Sequence, residues 1–182
     1  MQEAITAAEA LERLKTGNAH YMNAVTGAGD ISPARRKETA EHGQHPYAVV
    51  VGCADSRVLP ESIFSAGIGD LFVIRVAGNV VGEHQLGSIE YAVEHLGCKL
   101  VVVLGHTGCG AVAAAHEECG GHIKSITEEI KHAVGAETDA TKASVLNVRR
   151  SVAKIEGSLS GEAVTVGALY HTESGAVDFL DC

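Results

Sequence analysis

A chain of 182 residues has the length of one domain and can bury a substantial core. With 46% apolar and 20% charged residues it is neither a disordered chain nor, lacking any apolar run near the roughly 18 residues of a span, a helical membrane protein. Fourteen Lys and Arg against 23 Asp and Glu leave a net charge of -9, so nucleic acid is not expected as a partner. Met1-Gln2-Glu3-Ala4 lacks the basic start and apolar run of a secretory signal, and a cytoplasmic setting is expected. Five Cys cannot all pair, so together with ten His they point to metal ligation or thiol chemistry rather than a disulfide framework.

In chain order, Thr6-Ala7-Ala8-Glu9 has capping-box form. Leu11, Leu14, Tyr21, Met22 and Val25 keep one helical face apolar, which predicts an amphipathic N-terminal helix running through Gly17-Asn18. Ser32-Pro33 starts a short polar surface helix that ends near Gly43. The β-branched runs 47–51, 71–76 and 100–104 predict strands buried on both faces. Between the last two, Leu86, Ile89, Ala92, Val93 and Leu96 hold helical spacing over 85–96, so strand and helix alternate as in a parallel sheet with crossover helices. Helices are predicted over 110–116, 123–134 and 141–155. Strands over 163–170 and 176–180, around the turn Glu173-Ser174-Gly175, form a hairpin at the sheet's edge. The expected fold is α/β: a central, mostly parallel sheet of about four strands plus an edge strand, flanked by helices, with an N-terminal helical arm. Without repeats or long linkers, residues 1–182 read as a single domain.

In open parallel sheets ligands gather beyond the carboxyl ends of the strands. The first predicted strand runs into Gly52-Cys53-Ala54-Asp55-Ser56-Arg57 and the third into Gly105-His106-Thr107-Gly108-Cys109-Gly110. Thiolate and imidazole suit Zn²⁺, and three such ligands, Cys53, His106 and Cys109, leave one tetrahedral position for water. His106 and Cys109 can clasp an ion locally, whereas Cys53 joins them only if the sheet brings the loops together. The plain alternative is two small buried thiols and a hydrogen-bonded loop imidazole. Asp55 and Arg57 suggest a carboxylate held by a bidentate guanidinium; beside zinc, Asp55 is either Arg57's partner or a fourth ligand.

Cys53-Ala54-Asp55-Ser56-Arg57 with His106-Thr107-Gly108-Cys109-Gly110 resembles the two signature motifs of β-class carbonic anhydrases. The likeness extends through Leu14-Lys15-Thr16-Gly17-Asn18, Gly43-Gln44-His45-Pro46, Gly69-Asp70-Leu71-Phe72, Ile89-Glu90-Tyr91-Ala92-Val93, Asn147-Val148-Arg149 and Gly167-Ala168-Leu169-Tyr170. The resemblance implies a carbonate dehydratase, a lyase that reversibly hydrates carbon dioxide to bicarbonate and a proton with zinc-bound hydroxide as nucleophile. It implies Cys53, His106 and Cys109 as zinc ligands. It also implies that Asp55 accepts a hydrogen bond from zinc-bound water, held off the metal by Arg57, with a closed state in which Asp55 becomes the fourth ligand. Two thiolates cancel the ion's charge, so activity is expected to rise toward alkaline pH.

The same resemblance implies Gln44 and the Gly110 amide as hydrogen-bond donors to substrate, and Phe72 and Tyr91 as pocket walls, with Gln44 and the aromatics facing a partner's zinc. It therefore implies a homodimer or dimer of dimers, residues 1–43 forming a helical dimerisation arm and 44–182 the zinc-binding core. His95, four residues after Tyr91 on one helical face, is the candidate proton shuttle, ahead of His20, His84 and His171.

Departures from the family pattern are Val76, in Arg75-Val76-Ala77-Gly78-Asn79, where many relatives carry a polar residue, and a short connection over 151–161. With no Trp in the chain, and Val50 three residues before Cys53, the regulatory site of the bicarbonate-inhibited subgroup is not expected. Gln44 with Tyr91 points to the subgroup with open, water-bound zinc. The rival readings are a carbonyl sulfide or carbon disulfide hydrolase on the same scaffold and a non-catalytic zinc-binding protein. A thiol oxidoreductase is disfavoured by the lack of any Cys-x-x-Cys. Cys98, Cys119 and Cys182 carry no assigned role.

Overall fold

The Val-rich runs pair into one five-stranded sheet of order β2-β1-β3-β4-β5, formed by β1 (Ala48–Gly52), β2 (Leu71–Arg75), β3 (Leu100–His106), β4 (Val164–Tyr170) and β5 (Val177–Leu180). The first four strands in that order are parallel, and β5 returns antiparallel to β4 as the expected edge hairpin. The computed structural model describes residues 5–24, 29–159 and 161–181; Met1 to Ala4, Val25 and Cys182 lie outside them. Seven helices are described: α1 (Ala7–Met22), α2 (Pro33–His42), α3 (Pro60–Ile63), α4 (Glu83–Glu94), α5 (Gly110–Ala114), α6 (Lys124–Val134) and α7 (Ala140–Ser158). None of the described helices is long and apolar enough to cross a membrane.

Every residue of β1 and β3 is buried, which is why these strands read as continuous apolar runs rather than as alternating patterns. Successive side chains point to opposite faces. Val50, Val102 and Leu104 join one core with Leu14 and Phe64, while Val49, Val51, Val101 and Val103 join a second with Ile89, Val148 and Ile155. Each such side chain contributes about 1.5–3 kcal/mol on full burial.

The expectation that the 71–76 run is buried on both faces is corrected. β2 forms one edge of this chain's sheet, and four of its five residues are half-buried or exposed. The helix expected over 110–116 closes at Ala114, where His116 and Glu117 donate to Ala113 and Ala114 as tightened turns. The short helix α3, opened by Pro60 at its first turn, has no counterpart among the predicted elements.

The capping box at Thr6 and Glu9 forms as the sequence indicates, with the Thr6 amide donating to Glu9 at 2.9 Å. Gly17-Asn18 does not interrupt α1 but forms its contact point. A Cβ at Gly17 would sit 1.9 Å from the Phe64 carbonyl oxygen, so only glycine lets the helix approach that backbone. Buried Asn18 donates to the carbonyls of Ile63 (3.3 Å) and Gly175 (2.8 Å) and accepts from the Val177 amide (3.0 Å), joining α1 to α3 and β5. One face of the expected arm is thus packed on its own chain, whereas α2 has no buried residue.

Gly17→Ala is expected to cost about 3 kcal/mol, because rigid backbone rather than a flexible side chain opposes the new methyl. Guanidinium denaturation measures it, and a variant as stable as the parent would contradict the close approach.

Candidate metal centre

Parallel pairing sets Gly52 of β1 beside Leu104 of β3, so the residues that leave both strands emerge at the same end of the sheet. Cys53 follows β1, His106 ends β3, and Cys109 caps α5 after a turn through Gly108, whose φ is +67°. The Cys53 sulfur, a His106 ring nitrogen and the Cys109 sulfur lie within 4.8 Å of one another. The three residues are 4%, 0% and 5% exposed. Val76, Val80, Val112 and Ile130 pack around the two cysteines, so the donor set sits in an apolar wall.

These donors fit a soft dication. Nδ1 of His106 lies 3.0 Å from the Thr107 carbonyl, which can only accept, so Nδ1 carries the proton and Nε2 the lone pair. Nε2 is buried with no hydrogen-bond partner among the described residues, an arrangement that costs about 1–3 kcal/mol unless a metal fills it. The Cys53 sulfur accepts from the Gly78 amide at 3.2 Å and the Asp55 amide at 3.4 Å. The neighbouring Cys109 thiol, together with these amides, pulls the Cys53 thiol down to about 4 against its burial. Cys109 is pushed up, because it holds the shared proton beside a thiolate and is itself desolvated. The two thiols are thus shifted in opposite directions, and a dication binding both sulfurs would displace any proton they share.

Asp55 is clamped at the mouth of the triad. Its Oδ1 accepts from the Arg57 amide (2.9 Å) and Nε (3.0 Å), and its Oδ2 from Nη2 (2.8 Å). Arg57 Nη2 also donates to the Gly108 carbonyl at 3.2 Å, tying the two loops together. Oδ2 lies 3.9 Å from His106 Nε2. The Arg57 hydrogen bonds hold the Asp55 carboxyl well below the usual carboxylate range, so it is ionised throughout the neutral region. This depressed value contributes stability above the unfolded carboxyl pKa of about 3.9, lost as pH falls through the folded value.

Gln44, Phe72, Tyr91 and His95 are not brought to this triad within one chain. Gln44 is exposed and precedes β1, at the opposite end of the strand from Cys53. Phe72 pairs with Val49, about 13 Å along the strand direction from the level of Cys53. Tyr91, 47% exposed on α4, has its ring 6.2 Å from Phe72 and 5.3 Å from His95, so these three form a group of their own. Gly110, by contrast, directly follows Cys109 and opens α5, where its amide has no partner in the preceding turn. His171 is paired with Asp178 at 2.8 Å, and His20 and His84 are exposed.

Arg75 has a part that the sequence reading did not assign: its Nε and Nη2 donate to the carbonyls of Cys53 (3.1 Å) and Asp55 (2.7 Å), bracing the loop from β2. Its position just before the departure at Val76 was the signal available.

Comparison with known proteins decides the family. A carbonic anhydrase family model matches residues 48–177, a span that holds both strand ends and all three metal-ligand candidates. A carbonic anhydrase of Mycolicibacterium smegmatis is 37% identical, covering 93% of this chain and 91% of its own. The chain belongs to the β-class carbonic anhydrases. Another curated carbonic anhydrase, carbonic anhydrase 2 of Mycobacterium tuberculosis, is 36% identical over 94% of this chain and 92% of its own. A tetrameric β-carbonic anhydrase from the ascomycete Sordaria macrospora superposes with a TM-score of 0.73 and 27% identity, over 83% of this chain and 88% of that one. The β-carbonic anhydrase of Coccomyxa shares the fold at a TM-score of 0.71, over 93% of this chain and 81% of that one, with 23% identity.

Zinc is expected to bind one ion per chain and to raise stability by about 4 kcal/mol at a free concentration about 1,000 times Kd. Cys53→Ala, His106→Ala and Cys109→Ala should each abolish the shift. Thermal unfolding of chelator-stripped protein with and without zinc measures it; an unchanged melting temperature would contradict the triad.

Proposed function

We propose that the protein is a zinc-dependent carbonate dehydratase that reversibly hydrates carbon dioxide to bicarbonate and a proton. The observation that carries this reading is a buried Cys53, His106 and Cys109 donor set with an ionised, Arg57-clamped Asp55 at its mouth. A structural zinc needs neither Asp55 nor Arg57. When bound there, zinc is the Lewis acid that makes water nucleophilic near neutral pH.

The chain's own residues then have separable tasks. Asp55 is too acidic to take up a proton in the neutral range, so it acts as a hydrogen-bond acceptor that orients the attacking water rather than as a general base. Arg57 fixes both carboxylate oxygens, and Asp55 could become a fourth ligand only by giving up its side-chain bonds to Arg57. The Gly110 amide donates to the developing bicarbonate. The apolar wall of Val76, Val80 and Val112 favours a small neutral linear substrate over charged ones.

Gln44, Phe72 and Tyr91 complete the cleft of a second copy, and His95, beside Tyr91, shuttles protons there. Support for this comes from their distance from their own triad, from the exposure of Tyr91 and from the unpaired edge of β2. The assembly is a homodimer in which residues 1–43 serve as the arm, and a dimer of dimers is favoured by the tetrameric Sordaria neighbour. A cytoplasmic setting suits the described free thiols at Cys53, Cys98, Cys109 and Cys119.

Stopped-flow hydration by the zinc-loaded protein should show turnover that rises with pH across about 6 to 9, where metal-activated water titrates. The sign follows from the charge of two thiolate ligands, and Asp55, already ionised, adds no limb. Absence of turnover over that range would overturn the reading. Hydrogen sulfide release from carbonyl sulfide exceeding carbon dioxide hydration would reassign the substrate.

Arg57→Gln should lower kcat/KM about 10- to 100-fold, because it frees the carboxylate that orients water. Undiminished activity in that variant would remove Asp55 and Arg57 from the mechanism.

A further inference from the structure

We propose that Asn147 is a positioning residue for the Cys53 thiolate, acting through the turn Ala77–Asn79, whose Gly78 amide donates to the Cys53 sulfur. The inference rests on the metal-centre reading above and goes beyond it, since Asn147 touches none of the three donors.

Gly78 is left-handed, with φ 69° and ψ 18°, and the next residue, Asn79, is also left-handed at φ 45°. Glycine adopts that conformation without steric cost, and asparagine tolerates it better than other residues with a side chain. Among the described residues the Asn79 side-chain nitrogen is buried without a partner. The Asn79 backbone amide closes the turn on the Val76 carbonyl at 3.0 Å, and two side chains of α7 anchor the turn's carbonyls. Asn147 Nδ2 donates to the Gly78 carbonyl at 2.7 Å, and Ser151 Oγ donates to the Asn79 carbonyl at 3.1 Å. Four residues apart, they share one face of the helix, and they are only 2% and 4% exposed.

The consequence at the sulfur is geometric. The carbonyl and the amide of Gly78 belong to successive peptide planes hinged at one Cα, so anchoring the carbonyl restrains, through the φ and ψ of Gly78, the direction of the N–H. That N–H reaches the Cys53 sulfur at 3.2 Å. Nor can the turn be secured by an ordinary side chain in place of Gly78, because a Cβ there would meet Ile130 Cδ1 at 2.6 Å and Ala111 Cβ at 3.1 Å. An N–H donor on a ligating thiolate lowers its charge donation and holds its lone pairs in one orientation, as outer-shell partners of metal ligands do. Asn147 is therefore expected to set both the retention of the metal and the electron richness of Cys53.

Cobalt(II) loaded into the full chain reports this without relying on turnover. Asn147→Leu keeps the side-chain bulk and removes the donor. Its sulfur-to-cobalt charge-transfer band should move to longer wavelength, and cobalt affinity measured against a chromophoric chelator should fall about 10-fold. Ser151→Ala should shift both in the same direction by less. Val152→Ala, a cavity on the same helix away from the turn, should lower stability while leaving the band and affinity as in the parent. The proposal is overturned if Asn147→Leu keeps the parental band and affinity, or if Val152→Ala moves them as far. If Asn147→Leu does not fold, Ser151→Ala against Val152→Ala decides by the same criteria. A parent protein with no sulfur-to-cobalt band overturns the metal centre itself, and with it this inference.

Discussion

The metal centre depends on the register in which β1 pairs with β3. Parallel strands deliver consecutive chain exits to one edge of a sheet, and pairing Gly52 with Leu104 brings the residue after β1 level with the last turnings of β3. A shift of one residue would turn the ends of the Val runs to the wrong faces and swing Cys53 away from His106. In this register both strands are buried on two faces, with Val50 and Val102 in one core and Val49, Val51, Val101 and Val103 in the other. The packing that stabilises the sheet thus also sets where the donor loops leave it.

Around that frame, polar side chains do the finer alignment. Arg57 spans Asp55 and the Gly108 carbonyl, Arg75 grips the carbonyls of Cys53 and Asp55, and Asn147 with Ser151 holds the turn that feeds Cys53 an amide hydrogen. Each links segments that the chain separates widely, so the centre is bound to β2 and α7 as well as to its own two loops. Burial without such alignment would leave the ligands adjacent but unoriented; alignment without burial would leave the sulfurs competing with water. The two together favour a metal held by two thiolates and an imidazole whose second nitrogen is already committed to Thr107.

Much of this was legible in the residues. β-Branched runs of the right length marked β1 and β3, and the Cys, Asp and Arg of one strand end with the His and Cys of another marked the chemistry. The edge position of β2 was not legible, because its composition matches that of a central strand and only the strand order distinguishes them. Gly17 and Asn18 read locally as poor helix residues, and their reason lies in Phe64 and Gly175, distant in sequence. Asn147 and Gly78 entered only as members of family-like stretches, and their contact was not legible for the same cause: a side chain reaching a carbonyl 69 residues away leaves no periodicity to read. Gln44, Phe72 and Tyr91 stood out by likeness to a family, yet the single chain sets Phe72 and Tyr91 together and away from the triad, which is why their role is proposed for the cleft of a second copy.

X-ray absorption at the zinc edge of the loaded protein tests most directly whether the two strand-end loops form one two-sulfur, one-imidazole zinc centre. Two sulfurs at about 2.3 Å, one imidazole nitrogen at about 2.0 Å and one further light atom are the expected shell. A shell of nitrogen and oxygen alone, or of four sulfurs, would contradict it.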